Sequence, residues 1–245
     1  MKTIGLLGGT SWPSTPQYYT YLNEKVAAAL GGHHSARIVL YSINYHPIKS
    51  LYGEAEGWEE IPALLGKELK ALDDMGPDCI LICNNTLHKG YDMLVEQQQA
   101  ALVGQVIHIA VATAKKAVSM DAKRVLFLGT KFTMEDDFFK DRLTFFGLDV
   151  DIPNEDDRIE IQDMQSRISA GEDTSTFNAK FKDMLSRYTG YDAIILGCTE
   201  LPLVITEQET DIPLINPIHA QCDEAIKLVL ASAGQGQGRE FDTVG

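Results

Sequence analysis

The sequence has no excess of positive charge. Its 245 residues include 21 Lys and Arg against 35 Asp and Glu, which gives a formal net charge of −14. Because nucleic acids and anionic membrane surfaces attract clustered positive charge, this balance argues against both as partners. No apolar stretch reaches membrane-spanning length, and the segment after Met1 enters a strand-like run too short for a secretory signal. We therefore expect a cytoplasmic protein that acts on a small molecule.

The motifs of several common enzyme classes are also absent. Neither Cys-x-x-Cys nor His-x-x-x-His occurs, so the usual spacing of metal ligands is missing. The nucleophile elbow of α/β-hydrolases, Gly-x-Ser-x-Gly, does not occur either. The turn after the first apolar run lacks Gly-x-Gly-x-x-Gly, which disfavours a nucleotide-binding oxidoreductase.

Cysteine is scarce, with residues at positions 79, 83, 198 and 222. In a reducing cytoplasm these are expected to be free thiols. Cys79 lies within a predicted strand and Cys222 on the apolar face of a predicted helix, so both are predicted to be packing residues. Cys83 and Cys198 differ, because each follows a short apolar run and precedes Asn or Thr.

The two halves of the chain repeat one pattern. Residues 2–11 and 124–133 are apolar runs that enter turns rich in glycine and hydroxyl groups, and residues 80–86 and 194–200 are apolar runs that end in a cysteine loop. A buried parallel strand is an unbroken apolar run, and the residue just past it lies at the rim where open α/β folds bind ligands. The repeated order predicts a duplicated α/β unit that presents two thiols to a cleft.

Strand-like and helix-like segments alternate along the chain. Strands are predicted near 3–8, 36–43, 78–83, 105–109, 123–128, 192–197 and 212–215, and helices near 16–30, 58–74, 90–100, 110–119, 134–146, 155–169, 175–189 and 217–232. Such alternation is typical of an α/β fold with a mostly parallel sheet and helices on both faces.

The chain is long enough for two modest cores that meet at a cleft. We predict a first domain over 1–110, completed by 216–235, and a second domain over 111–215, because the last strand and helix can return to the first sheet. Residues 236–245 end a Gly- and Gln-rich stretch and are predicted to form a disordered tail.

Four loops of the chain closely resemble the signature loops of the cofactor-independent aspartate/glutamate racemase family. They are Gly-Gly-Thr-Ser-Trp-Pro-Ser-Thr at 8–15, Cys-Asn-Asn-Thr-Leu-His-Lys at 83–89, Leu-Gly-Thr-Lys-Phe-Thr-Met-Glu at 128–135 and Gly-Cys-Thr-Glu at 197–200. The match is in order and covers nearly the whole chain. It implies two pseudo-symmetric α/β domains, each with a mostly parallel sheet flanked by helices, and an active site in the interdomain cleft. It also implies a homodimer, as is common among relatives.

The resemblance further implies that Cys83 and Cys198 invert the Cα of an amino acid without pyridoxal phosphate, metal or any other cofactor. Inversion by proton transfer needs a base on one face of the carbon and an acid on the other, and a thiol with a pKa near 8.5 can serve as either. Donors aimed at the substrate carboxylate would stabilise the carbanion that forms beside it. The matching positions assign this binding role to Ser11, Asn85, Thr86, Thr130, Thr133 and Thr199. Glu200, which adjoins the second cysteine loop, is a further candidate.

The sequence departs from the family pattern where substrate choice is expected to be set. Thr10 and Pro13 stand where most relatives have Met and Glu, and the segment 44–58 lacks the arginine that some acidic-substrate members carry. Lys49 and Arg167 are the cations that could replace it, so both are candidates for substrate binding. We therefore predict a racemase for aspartate, glutamate or a related polar amino acid.

Other readings of the sequence remain open. His88 could orient a thiolate or substrate, or it could be a capping residue, and the same holds for His219. The same loops would also suit a related cysteine-dependent isomerase, a hydantoin racemase or a decarboxylase. A non-catalytic protein that binds a small acid is the remaining alternative.

Overall fold

In the computed structural model, which describes residues 1–54, 56–169 and 172–231, the first half of the chain forms a four-stranded parallel sheet. Its strands are β1 (Ile4–Gly8), β2 (Ile38–Ser42), β3 (Cys79–Ile82) and β4 (Gln105–Val106), in the order β2-β1-β3-β4. The central strands β1 and β3 are completely buried, as their unbroken apolar sequences require. The tail predicted over 236–245 lies outside the described residues.

A second four-stranded parallel sheet repeats this arrangement. Its strands are β5 (Arg124–Leu128), β6 (Asp149–Asp151), β7 (Ala193–Leu196) and β8 (Leu214–Ile215), in the order β6-β5-β7-β8. The two orders are equivalent strand for strand, so the two halves are pseudo-symmetric. The predicted α/β fold class with two parallel sheets is confirmed.

Helices flank both sheets. The α-helices are α1 (Thr15–Leu30), α2 (His46–Lys49), α3 (Gly57–Asp73), α4 (Leu87–Glu96), α5 (Ile109–Ser119), α6 (Lys131–Glu135), α7 (Asp137–Phe145), α8 (Glu155–Ser169), α9 (Ser175–Ser186) and α10 (Pro217–Ala231), and short 3₁₀ turns cover Ser50–Gly53 and Leu201–Leu203. Among the described residues, no helix combines the length and the apolar character needed to cross a bilayer.

Helix α10 completes the first half of the molecule. Its buried residues Ile218, Cys222 and Val229 recur at helical spacing and pack in the core with Ile4 and Tyr18. The strand before it, β8, pairs with β7 in the second sheet. Of the two elements that we expected to return to the first sheet, only the helix does so, and the expectation for the strand was wrong.

Two local features differ from the sequence prediction. The helix predicted over 134–146 is two helices, because Asp136 leaves the helical conformation and its side chain accepts a hydrogen bond from Phe138 N at 3.1 Å as the cap of α7. Strand β6 was not predicted. It contains a single apolar residue, Val150, and its hydrogen-bonded partner is Arg124–Leu126 of β5, so only the sheet itself reveals it.

The central strands determine where the loops of interest lie. The residues that directly follow β1, β3, β5 and β7 are Gly9, Cys83, Gly129 and Gly197, respectively. All four loops therefore lie at the carboxyl ends of parallel strands, where α/β folds place ligands.

Gly9 provides a test of how tightly the first of these loops is built. Its φ is +80°, and a Cβ at this position would lie 2.2 Å from Ile43 O. Gly147 has a similar φ of +84° but nothing within 4 Å of the same position. Gly147→Ala should therefore cost only the left-handed strain, about 1 kcal/mol, whereas Gly9→Ala should lower the free energy of unfolding by about 3 kcal/mol or more. Urea denaturation measures both values, and equal losses would contradict the described loop.

Candidate active site

The two cysteine loops approach each other from opposite halves of the chain and are hydrogen-bonded together. Asn85 Nδ2 donates to Gly197 O at 2.6 Å. Asn85 follows Cys83 by two residues, and Gly197 directly precedes Cys198. The structure therefore brings the two loops to one place, as the repeated pattern predicted.

Cys83 is buried, and its main chain is hydrogen-bonded to the first glycine loop and to β1. Its side chain has no exposed surface, and its main chain joins β1 through a bond from Cys83 N to Leu7 O of 3.0 Å. Thr10 Oγ1 donates to Cys83 O at 3.0 Å, and Asn84 Nδ2 donates to Thr10 O at 3.2 Å. Burial raises the pKa of the Cys83 thiol. Thr10, which the sequence marked only as a departure from the family pattern, thus fastens the first loop to the cysteine loop.

Cys198 has a carboxylate as its neighbour. Its Sγ donates to Glu200 Oε2 at 2.7 Å, and Thr199 Oγ1 donates to the same oxygen at 2.9 Å. Burial raises the pKa of the Cys198 thiol, and the negative charge of Glu200 raises it further. Thr199 and Glu200, both predicted site residues, therefore contact each other beside the second thiol.

The hydroxyl groups of the glycine loops also line this rim. Thr130 caps α6 by accepting from Thr133 N at 3.2 Å, and the two threonine hydroxyls lie 2.8 Å apart. Gly129 separates this pair from the second cysteine loop, since a Cβ at Gly129 would lie 3.4 Å from both Gly197 O and Thr133 Cβ. The other two predicted hydroxyl residues are half-buried, Ser11 in the loop after β1 and Thr86 just before α4.

Arg167 has partners of its own. Near the end of α8, its Nε and Nη2 donate to the two carboxylate oxygens of Glu172 at 2.8 and 2.5 Å, and its guanidinium lies 4.9 Å from the centre of the Phe177 ring. Asp163 is a further carboxylate neighbour at 3.4 Å. These contacts do not connect Arg167 to either cysteine loop, so a role in substrate binding would require the pair with Glu172 to open.

A buried polar cluster behind the first cysteine loop was not predicted. His88 and His108 lie with their ring centres 4.4 Å apart, and Gln221 Nε2 lies 3.4 Å from His88 Nε2. Asp92 Oδ1 is 3.3 Å from His108 Nε2 and also pairs with Arg142. These residues come from α4, α7, α10 and the start of α5, so the cluster joins both halves. Members so far apart in the chain leave no local signal in a single sequence.

Burial sets the protonation of this cluster. It lowers the pKa of His88 well below its ordinary value and that of His108 to about 3, and it raises the pKa of Asp92 to about 6. The histidines are therefore neutral at pH 7. His219, the other histidine singled out from the sequence, instead stacks on Tyr21 with ring centres 4.0 Å apart.

This cluster predicts loss of stability in mild acid. Below pH 6.5 both histidines are protonated in the unfolded chain but not in the folded protein. The unfolded state therefore binds more protons, and the free energy of unfolding decreases as the pH is lowered. Asp92 acts in the opposite sense between about pH 6 and 4, because its folded pKa lies above the unfolded value. Because two histidines act against one carboxyl group, the unfolded state still binds more protons than the folded protein, so the free energy of unfolding falls as the pH is lowered from 6 to 5.

Urea unfolding at pH 7, 6 and 5 measures this slope. His88→Gln should make the slope between pH 6 and 5 smaller, and substitution of the exposed His33 by Gln should leave it unchanged. A wild-type unfolding free energy that stays constant from pH 6 to 5 would rule out the neutral buried histidines.

Known proteins are similar to this chain in sequence and fold. A family model described as Asp/Glu/Hydantoin racemase matches residues 7–225, which include all four loops. A protein from Yersinia pestis described as a candidate Asp/Glu racemase has 32% sequence identity and a TM-score of 0.84, covering 94% of this chain and 100% of that chain. An aspartate racemase homologue from Pyrococcus horikoshii OT3 has 28% identity and a TM-score of 0.78 over the same shares. The aspartate racemase of Picrophilus torridus, at 23% identity, shares the fold with a TM-score of 0.74 over 96% of this chain and 95% of that chain.

Proposed function

The chain belongs to the Asp/Glu/hydantoin racemase family and is an isomerase, and we propose that it inverts the Cα of an acidic or related polar amino acid with Cys83 and Cys198. The observation that carries this proposal is the hydrogen bond from Asn85 to Gly197, which brings the two cysteine loops together from opposite halves. A substrate held between these loops would present one face of its Cα to each thiol.

The reaction is a proton exchange between the two faces of one carbon. One cysteine, as thiolate, takes the Cα proton and becomes a thiol, while the electron pair left on carbon delocalises into the substrate carboxylate. The other cysteine, as thiol, delivers its proton to the opposite face and becomes a thiolate. Because each step conserves protons, the enzyme returns ready for the opposite enantiomer. The hydroxyls of Ser11, Thr86, Thr130 and Thr133 are proposed donors to the carboxylate as its charge grows.

Glu200 offers a place for the proton of Cys198. The pair carries one negative charge whether the proton sits on sulfur or on the carboxylate, so transfer over the 2.7 Å contact creates a thiolate without adding charge to the buried site. At Cys83, the thiolate would be favoured by the substrate and not by a neighbouring carboxylate. The positive charge of a bound substrate ammonium group would lower the raised pKa of that thiol.

Asn85 is a candidate to bind this ammonium group. Its amide nitrogen is committed to Gly197, whereas its Oδ1 is buried and has no hydrogen-bond partner among the described residues. A buried carbonyl oxygen without a donor is costly, and an N–H group of a ligand would satisfy it. We therefore propose Asn85 as an acceptor, in place of the donor to the carboxylate that the resemblance implied.

Isotope exchange in deuterated water tests the cysteine pair. Cys83→Ala and Cys198→Ala should each lower inversion by at least about 10²-fold, because one face of the carbon loses its acid or base. Each variant should still exchange the Cα hydrogen of one enantiomer with retention, and the two variants should exchange opposite enantiomers. The assay is run with EDTA and without pyridoxal phosphate, since the proposal needs no cofactor.

Cys79→Ala and Cys222→Ala are the matched controls, because these cysteines are also buried but lie within strand β3 and helix α10 and not in the loops at the strand ends. Both should keep near wild-type turnover. The assignment fails if a folded control loses inversion, or if Cys83→Ala and Cys198→Ala label the same enantiomer.

The side-chain specificity is proposed on weaker contacts. Lys49 is exposed, with its Nζ 4.7 Å from the centre of the Tyr52 ring, and Arg167 is bound to Glu172. A buried carboxylate requires a cation or several donors, so an enzyme without a dedicated clamp should discriminate little. We propose aspartate or glutamate as the preferred substrate, with neutral polar amino acids also accepted. A homodimer, implied by the sequence resemblance, and a cytoplasmic location, expected from the sequence, are part of the same proposal.

Arg167 is tested with substrates that do or do not carry a second carboxylate. If Arg167 leaves Glu172 to meet the substrate, Arg167→Ala should lower kcat/KM for aspartate and glutamate by about tenfold and leave homoserine unchanged. Glu172→Gln, which frees the guanidinium, should raise kcat/KM for the acidic substrates only. Arg187→Ala, which removes another ion-paired arginine of the second half, is the control. Equal effects on all three amino acids would remove Arg167 from the substrate-binding site.

A further inference from the structure

A stack of aromatic rings joins the two halves of the chain. Trp58, at the start of α3, lies nearly parallel to Phe132, at the start of α6, with ring centres 5.6 Å apart and 5° between the planes. Tyr52 stacks on the same tryptophan at 5.3 Å. Phe132 lies between Thr130 and Thr133, two of the proposed donors. The stack therefore connects the first half directly to a loop of the candidate active site.

Lys89 strengthens this connection. Its Nζ lies 4.7 Å from the centre of the Trp58 ring and 5.3 Å from that of Phe132, and it forms an ion pair of 2.5 Å with Asp136. The side chains of Lys89 and Asp136 are only 26% and 20% exposed, so this charge pair is partly shielded from water. Lys89 is in the first turn of α4, directly after the Cys83 loop. A single side chain thus joins the first cysteine loop to the segment that carries Thr130 and Thr133.

The stack is also linked to the residue next to Cys83. Tyr45 OH donates to Tyr52 OH at 2.5 Å, and Asn84 Nδ2 lies 3.5 Å from Tyr45 OH. Contacts therefore run from Asn84 through two tyrosines to Trp58 and across to Phe132. A displacement of Phe132 would be transmitted to the loop that holds the first thiol.

The burial of the thiols shows why such a connection has to open. The side chain of Cys83 has no exposed surface and that of Cys198 is 7% exposed. An amino acid cannot reach two enclosed thiols unless the halves separate. Ring stacking and cation–π contacts are individually weak, so they can hold the halves together and still part in every turnover.

We propose that Trp58, Lys89, Phe132 and Asp136 form an interdomain clamp that positions the two cysteine loops when closed and opens to admit and release substrate. The clamp residues are positioning residues, since they act through the loops that they join. The clamp rests on the proposed function, but its opening has a readout that needs no turnover.

Thiol labelling measures this opening without any ligand. In a Cys79→Ala/Cys222→Ala background, the labelling rate of the remaining thiols with a disulfide reagent at pH 8 reports how often the cleft opens. Lys89→Met and Phe132→Leu should each increase the labelling rate about tenfold. The double variant should increase it by much less than a hundredfold, because both substitutions disrupt the same set of contacts and their effects are not additive. The same variants should raise KM for a single enantiomer of aspartate and change kcat little.

The control variants remove similar groups outside the clamp. Lys140→Met deletes an ion-paired lysine of α7, whose side chain is 20% exposed, and Phe145→Leu deletes a ring that is 87% exposed. Both should label at the parent rate. Urea unfolding of every variant separates local opening from general loss of stability.

The outcomes distinguish the clamp from other roles. Parent labelling rates for both Lys89→Met and Phe132→Leu would overturn the clamp. So would a fall in kcat/KM for Lys89→Met alone with labelling unchanged, which would indicate that Lys89 contacts the substrate. If the wild type exchanges the Cα hydrogen of no amino acid, the proposed function fails, and the labelling rates alone then decide whether the clamp exists.

Discussion

The hydrogen bond between Asn85 and Gly197 is the contact on which the candidate site depends. Each cysteine loop is fixed to its own sheet by the strand before it, but the bond of 2.6 Å determines how the two loops face each other. It is formed by residues from opposite halves, so the site exists only when both halves are folded and together. The buried cluster around His88 and the contacts of the proposed interdomain clamp also join the two halves.

The burial of the two thiols opposes the ionisation that the proposed reaction needs. Burial raises the pKa of both thiols, so the resting protein holds them protonated. In the proposed reaction, Glu200 accepts the proton of Cys198, and the ammonium group of the substrate favours the thiolate of Cys83. An enclosed site is also one in which a donor aimed at a carboxylate oxygen acts most strongly. The proposed reaction therefore requires a closed cleft.

The features that could be predicted from the sequence are those with a signal in a short stretch of residues. Unbroken apolar runs located the buried strands and hence the loops at their ends, and the repetition of a cysteine after such a run predicted the two-sheet fold. Strand β6 was missed because its single apolar residue, Val150, carries no periodic signal. The clamp and the polar cluster were missed for another reason. Lys89 and Asp136, or His88 and Gln221, are brought together only by the packing of helices from both halves.

The two sheets are equivalent, but the surroundings of the two thiols are not. Cys198 has a carboxylate at hydrogen-bond distance, whereas Cys83 is fastened through main-chain contacts to Leu7 and Thr10. The two enantiomers of an amino acid have equal free energy in water, so a racemase must have equal kcat/KM in the two directions. The unequal neighbours of the thiols can therefore change how tightly each enantiomer binds and how fast it turns over, but only together. In the proposed mechanism, the symmetric fold places one thiol on each side of the substrate. The unequal charges near the two thiols can give the two enantiomers different values of KM and of kcat, but the ratio kcat/KM stays the same for both.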